Sequence, residues 1–219
     1  DILVAGRYEN APDFGGGPLP MMNSAGGLFF ARFDSMGLHL GSEGFPTNNQ
    51  ALLYAAATDS TGGFALLGRT SPPIDFGGGP LPGNQNDRGF FVKFDATGAF
   101  EWQASFVGSM YPPAFSSLSF TSTDELLVGG TLRGTTDFGG GTVTSFPSSE
   151  APVVLRFGSS GTWVSQLVYS DELANGGVWD VAAHPDGTVV FVGNYTGPFD
   201  FGQGPLSATG AAFVAKEAP

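Results

Sequence analysis

The sequence predicts an all-β protein built from repeated four-stranded antiparallel sheets. Three observations carry that prediction. One corner motif returns at a fixed interval: "DFGGGPLP" stands at 13–20 and again at 75–82, "DFGGG" at 137 and "DFGQG" at 200, which spaces Asp13, Asp75, Asp137 and Asp200 by 62, 62 and 63 residues. A glycine lies seven residues before each of them, at Gly6, Gly68, Gly130 and Gly193, where it closes a short apolar run. The composition, with 35 Gly, 16 Pro and 21 Phe in 219 residues, is that of short strands joined by turns. The DFG triplet also occurs where a kinase aspartate holds magnesium, but a catalytic triplet is needed once. A triplet that returns four times is structural.

The elements of one repeat follow in order. The Gly-closed runs "ILVAG", "FALLG", "LLVGG" and "VVFVG" read as strands from their length and their β-branched and aromatic content. The corner comes next. Its glycines let the backbone turn sharply, its Phe can fill a hydrophobic gap, its Asp can accept turn N–H groups, and its Pro stops onward pairing. A second strand follows, "LFFARFD", "GFFVKFD", "PVVLRFG" and "AAFVAKE". The turns "FDSMGL", "FDATGA" and "FGSSGT" then place Gly where a tight, bulged hairpin demands positive φ. A third strand, "LHLGSEGF", "AFEWQASF" or "TWVSQLVY", and a fourth, within "QALLYAAATDSTGG", "AFSSLSFTSTDE" or "GVWDVAAHPDGT", complete the unit.

Four-stranded units of this period fit a β-propeller, in which each sheet buries both faces against its neighbours. That accounts for strands that are nearly continuous apolar runs instead of alternating ones. An open solenoid of stacked sheets is the rival. The expected architecture is a propeller-type array of about 3.5 repeats in one domain, 1–219, divided as 1–46 (partial blade), 47–109, 110–170 and 171–219 (partial blade). The strand count is three, four, four and three. A closed four-bladed ring, a fragment of a larger ring, and a half-ring completed as a homodimer all remain open. The chain opens on "DILVAGRYEN", read as mid-strand without Met or leader, so a processed or truncated piece is expected.

The succession of a Gly-closed run, an Asp-Phe corner, "FVKFDATG" and "EWQASF" resembles the bacterial propeller repeats described as seven-bladed. Residues 63–107 match best, and such repeats cover essentially the whole chain. The third repeat departs, with Gly158 in place of Asp after its second strand, and a looser turn is expected there. The resemblance implies architecture and no particular activity.

Charge excludes some partners. Twenty acids against eight bases give a net charge of −12, which repels phosphate backbones and anionic membrane surfaces, so neither nucleic acid nor membrane insertion is expected. With no cysteine there are no disulfides and no thiolate metal sites. Few Lys with abundant Gly, Ser, Thr and Asn suits a secreted or cell-surface bacterial protein.

Four of the eight basic residues, Arg32, Lys93, Arg156 and Lys216, share one position of the second strand. Each is expected to pair with a carboxylate or turn carbonyl, first of all the corner Asp of its own repeat. Trp102 and Trp163 are read as one repeat position, with His39 holding it in the first repeat, and as packing residues. Trp179 sits in a different strand, with Tyr54 and Ser116 as its counterparts, and is the Trp better suited to a ligand.

Individual function should show where the repeat breaks. The loops between units and the strand after them supply Phe45, Asn48, Asn49, Tyr111, Asn175, Trp179 and Asp180 as candidate binding residues. Asp171, Glu172 and Asp180 are the candidate calcium ligands, though no EF-hand spacing is present and no cofactor is expected otherwise. His39 and His184 stand in different repeats, a poor basis for zinc. There is no G-x-S-x-G elbow and no P-loop. The expected function is a non-catalytic binding or scaffolding module for a protein or glycan ligand. A lectin-like glycan binder, and a glycosidase or lyase with axial carboxylates, are the alternatives.

Overall fold

The computed structural model describes residues 1–22, 26–47, 50–71, 73–82, 88–146, 149–172, 175–202, 204–206 and 210–217. It is all-β among these residues, as expected, with several antiparallel sheets. Among the described residues no helix is long and apolar enough to cross a membrane. The chain forms two compact units, Asp1–Ser105 and Phe106–Pro219.

In the first unit β1 (Ile2–Tyr8), β2 (Gly27–Phe33) and β3 (His39–Pro46) make a three-stranded sheet in sequence order. The strands β4 (Ala51–Thr58), β5 (Phe64–Thr70), β6 (Arg88–Phe94) and β7 (Phe100–Phe106) make a four-stranded one, whose last residue is counted with the second unit. One aromatic layer joins the two sheets. Phe30 of β2 meets Phe64 and Phe94 with ring centroids 4.8 and 5.1 Å apart, and Phe45 of β3 meets Phe76 and Phe94 at 5.0 and 5.6 Å. Leu28, Leu66, Phe90 and Val92 fill the space between them. Because both faces are covered, β6 is buried along its whole length.

In the second unit β8 (Ala114–Phe120), β9 (Leu126–Leu132), β12 (Ala151–Phe157) and β13 (Trp163–Val168) form a sheet in that order across it. The short strands β10 (Thr135–Asp137) and β11 (Thr142–Thr144) branch off between β9 and β12. The last sheet holds β14 (Asn175–Ala183), β15 (Val189–Thr196) and β18 (Ala211–Glu217), with β16 (Phe199–Asp200) and β17 (Pro205–Leu206) as the matching short pair. Leu127, Val154, Val178, Val181, Phe191, Tyr195 and Phe213 form its core.

The recurring corner has one geometry. In each repeat a single carboxylate oxygen, Oδ1 of Asp13, Asp75, Asp137 or Asp200, accepts the backbone N–H two residues on at 2.6–2.8 Å and the N–H four residues on at 3.0–3.2 Å. Both donors are glycines at positive φ, from 93° to 115°, which a side chain would strain. Phe76 and Phe138 of the second and third corners are fully buried. Pro18 and Pro80 close their corners by bridging Asp13 and Asp75. The proline thus completes the local hairpin, a more specific role than ending an edge.

The turn after the second strand is equally regular. Gly37, Gly98 and Gly161 all have positive φ. The third copy, at Gly158, keeps the same pair of backbone hydrogen bonds as the others, Gly158 N–H to Thr162 O and Gly161 N–H to Gly158 O, both 2.8 Å. It is therefore no looser, which corrects the sequence expectation. What it loses is the Asp side chain that receives two further amides at Asp34 and Asp95.

Candidate functional site

One register slip recurs in the first strand of three of the sheets. The strands β4, β8 and β14 all slip register at the same place, between Leu53 and Ala55, Phe115 and Ser117, and Val178 and Asp180. The extra residues are Tyr54, Ser116 and Trp179, the three positions that the repeat aligns. A bulge adds one residue to one strand, bends it, and re-aims the inserted side chain. Two of the three inserted side chains are large aromatics left in solvent, with Tyr54 45% and Trp179 57% exposed. The third is used internally: Ser116 Oγ donates to Val178 O at 2.6 Å, tying the β8 bulge to the β14 bulge. Asp180 follows Trp179, also exposed, and its Oδ1 accepts the Val181 N–H at 2.9 Å. An exposed indole beside a carboxylate can stack on a flat apolar face and accept a hydroxyl.

The other candidates fall in different surroundings. Phe45 belongs to the buried aromatic layer of the first unit and is committed to packing. Asn48 and Asn49 lie outside the described residues. Tyr111 is exposed on the β7–β8 loop with the Arg133 guanidinium over its ring at 4.9 Å, a partner the sequence reading missed. Only the proximity of two loops, not a motif, brings those two together: Ser109 N–H bonds Thr135 O beside them. Asn175 is exposed, and its Oδ1 accepts the Glu150 N–H at 2.8 Å, a local cap. Glu172 is exposed and Asp171 partly so. No cluster of three His, Asp or Glu suited to a metal occurs among the described residues. His184 sits exposed in its turn against Asp186, whose carboxyl is held at about 2 by the Thr188 N–H, the Thr188 hydroxyl and His184.

Three of the four repeat-locked cations take carboxylates, but not those of the corner. The corner Asp is occupied by its own turn amides. Lys93 Nζ lies 2.6 Å from Asp59 and 3.0 Å from Glu101, with the Lys93 and Asp59 side chains only 5% and 4% exposed. Arg156 holds Glu125 at 2.8 Å, while Arg32 reaches Asp1 at 3.5 Å. Lys216 is exposed. Burial pushes the Asp59 carboxyl up, but the hydrogen bonds from Lys93 and Thr61 outweigh it and hold it below its ordinary value. A cleft of about 280 Å³ opens beside Arg32, lined by Asp1, Ile2, Thr58, Asp59, Ser60 and Phe64.

The tryptophan register also needs correction. The residue equivalent to His39 and Trp163 is Phe100, not Trp102. All three stand two places after the turn glycine, and all three lie over the corner glycines of their own repeat. An added Cβ would meet His39 at Gly16, Phe100 at Gly78 and Trp163 at Gly140, at 2.7, 2.2 and 2.1 Å. Trp102 instead meets Phe91 edge-on at 6.1 Å. No protein-family model matches this chain, and no curated protein is detectably similar to it.

Proposed function

We propose that this chain is a non-catalytic binding module, secreted or displayed at the cell surface, whose four sheets are blades of a propeller-type array. Its ligand is taken on the bulged opening strand β14, with Trp179 and Asp180 as the principal contact. One observation carries the reading: the same bulge recurs in three sheets, and the inserted residue is an exposed aromatic in two of them. The position is structurally constant but chemically free, as Tyr, Ser and Trp, which is the pattern of a scaffold that varies its contact residue. A sugar ring fits that pair, with its C–H face on the indole and a hydroxyl on the carboxylate.

The test is a glycan array read alongside intrinsic fluorescence. Trp179→Ser, which installs the residue that the third sheet carries, should weaken binding about tenfold or more, given the worth of an aromatic contact. Trp163→Phe, which installs the residue that the second repeat carries, should leave binding unchanged. An array without hits, or equal binding by both variants, would remove the proposal.

A further inference from the structure

We propose that Arg88 is the centre of an anion site that takes the carboxylate of a small monocarboxylic ligand, at the end of the aromatic layer of the first unit. Arg88 opens β6, as Gly27, Ala151 and Ala211 open β2, β12 and β18. A long cation thus stands where the other sheets keep a small neutral residue. It shares its face with Phe90, Val92 and Phe94, which pack into the layer, and it is 8% exposed. Its sheet is not that of Trp179, and its assignment is independent of the ligand read there.

What sets Arg88 apart is that its charge is not compensated. Arg7, Arg32, Lys93 and Arg156 each hold a carboxylate at 3.5 Å or less. Arg88 holds none among the described residues, and its Nε is shut away from bulk solvent without a hydrogen-bond acceptor. Arginine does not escape burial by losing its proton, so the charge has to be met from outside the chain. Opposite it on β5 stands Thr70, 1% exposed. Among the described residues the Thr70 hydroxyl makes one bond, a long one of 3.4 Å to Ser71 O. A cation and a hydroxyl donor therefore lie side by side in an apolar wall, short of one acceptor.

The chemistry selects the occupant. A carboxylate lies flat against a guanidinium and accepts from Nε and a terminal nitrogen in two parallel bonds, with a lone pair left for the hydroxyl. One cation balances one negative charge. A doubly charged phosphate or sulfate would bury net negative charge in a chain that already carries −12. Phe90, next along the same face, and Phe76, with its ring centroid 5.0 Å from that of Phe90, offer apolar contact to a short alkyl group. The part of Arg88 that remains in solvent gives the ligand its way in.

Acetate is the probe, titrated into the whole chain at neutral pH and fixed ionic strength, so that general screening stays constant. At about ten times its dissociation constant it should raise the melting temperature by roughly 3–6 °C. The Nε–H proton resonance of Arg88, assigned by its loss in Arg88→Met, should move along the same saturation curve. Arg88→Met keeps most of the side-chain length and drops the charge. Without acetate its melting temperature should equal or exceed that of the parent, since no acid is stranded, and with acetate it should gain nothing. Thr70→Val should weaken acetate about two- to tenfold. A lower melting temperature of Arg88→Met in acetate-free buffer would mean that an acid of this chain already holds the guanidinium, and the proposal falls. Equal gains in parent and variant, an Nε–H resonance that stays in place, or tighter binding of phosphate or sulfate than of acetate would each overturn it as well.

Discussion

Lys93 shows how a single position decides its neighbours. A lysine buried in a sheet needs a carboxylate, and the residue that provides one differs from repeat to repeat. Where the cation is Arg32 or Arg156, the acid stands immediately before the first strand, as Asp1 or Glu125. Where the cation is Lys93, that place is Gly63 and the acid moves to the start of the turn, as Asp59. An added Cβ at Gly63 would sit 2.6 Å from both Asp59 Oδ2 and Lys93 Nζ, so the glycine makes room for the pair. Breaking a buried pair leaves an uncompensated charge, at a cost of about 3–5 kcal/mol, whereas an exposed pair is worth about 0.2–1. Asp59→Asn should therefore lower unfolding stability by about 3 kcal/mol, the low end because Glu101 remains on Lys93. Glu101→Gln should lower it by no more than about 1 kcal/mol, since the Glu101 side chain is partly solvated. Urea denaturation of the two variants checks the ranking. The pH dependence has a definite sign. The folded pKa of Asp59 lies below its ordinary 3.8, so its contribution is present above pH 3.8 and disappears as pH falls through the lower folded value. The gap between parent and Asp59→Asn should be constant from pH 7 to about 5 and close only below pH 3.8. A gap that closed near neutral pH would mean another group is responsible.

At the scale of the element, the Asp-Phe-Gly corner was legible and the tryptophan register was not, for physical reasons. The corner repeats because every part of it is fixed by backbone geometry: one carboxylate oxygen, two amides at fixed offsets and two positive-φ glycines. Such a unit can be read letter for letter. The residue that packs on it can be any large side chain, and so it varies as His39, Phe100 and Trp163. Matching tryptophan to tryptophan placed Trp102 two residues too far along, whereas counting from the turn glycine gives the packing residue each time. The bulges were likewise invisible, since Tyr54, Ser116 and Trp179 share a place but no chemistry. The cation partners were misassigned because the acid moves within the turn. Two neighbouring glycines of the third corner separate the packing requirement from the backbone one. Gly140→Ala drives a Cβ to 2.1 Å from the Trp163 ring and should cost about 1–3 kcal/mol as overpacking. Gly141→Ala meets no atom within 4 Å but holds φ at 103°, so its cost of about 1–2 kcal/mol is backbone strain. Shortening Trp163 to Thr should recover much of the first loss and none of the second. Equal rescue of both by thermal melts would show that one mechanism governs the two glycines.

At the scale of the whole molecule the balance between short-range pairs and net charge decides how the fold answers to salt. The ion pairs that matter are few and shielded: the Lys93–Asp59 side chains are almost entirely out of solvent, and Arg156 with Glu125 is about three-quarters so. Counter-ions screen buried pairs weakly. Most of the other described acids are exposed, and the chain carries 20 acids against eight basic side chains, an excess that repels itself through water. Screening acts fully on that repulsion, because the Debye length falls from about 30 Å at 0.01 M salt to about 8 Å at 0.15 M. Salt should therefore stabilise the chain near neutral pH. A rise of a few degrees in melting temperature is expected between those two ionic strengths, with most of the gain reached by the higher one. The rise should shrink as pH is lowered toward the sequence isoelectric point of about 4.2, where the net charge that salt screens is itself vanishing. Sodium chloride titrations followed by thermal melts at pH 7 and pH 5 test both parts. A melting temperature that fell with salt at pH 7 would show that attractive surface pairs, not self-repulsion, dominate the electrostatics of this fold.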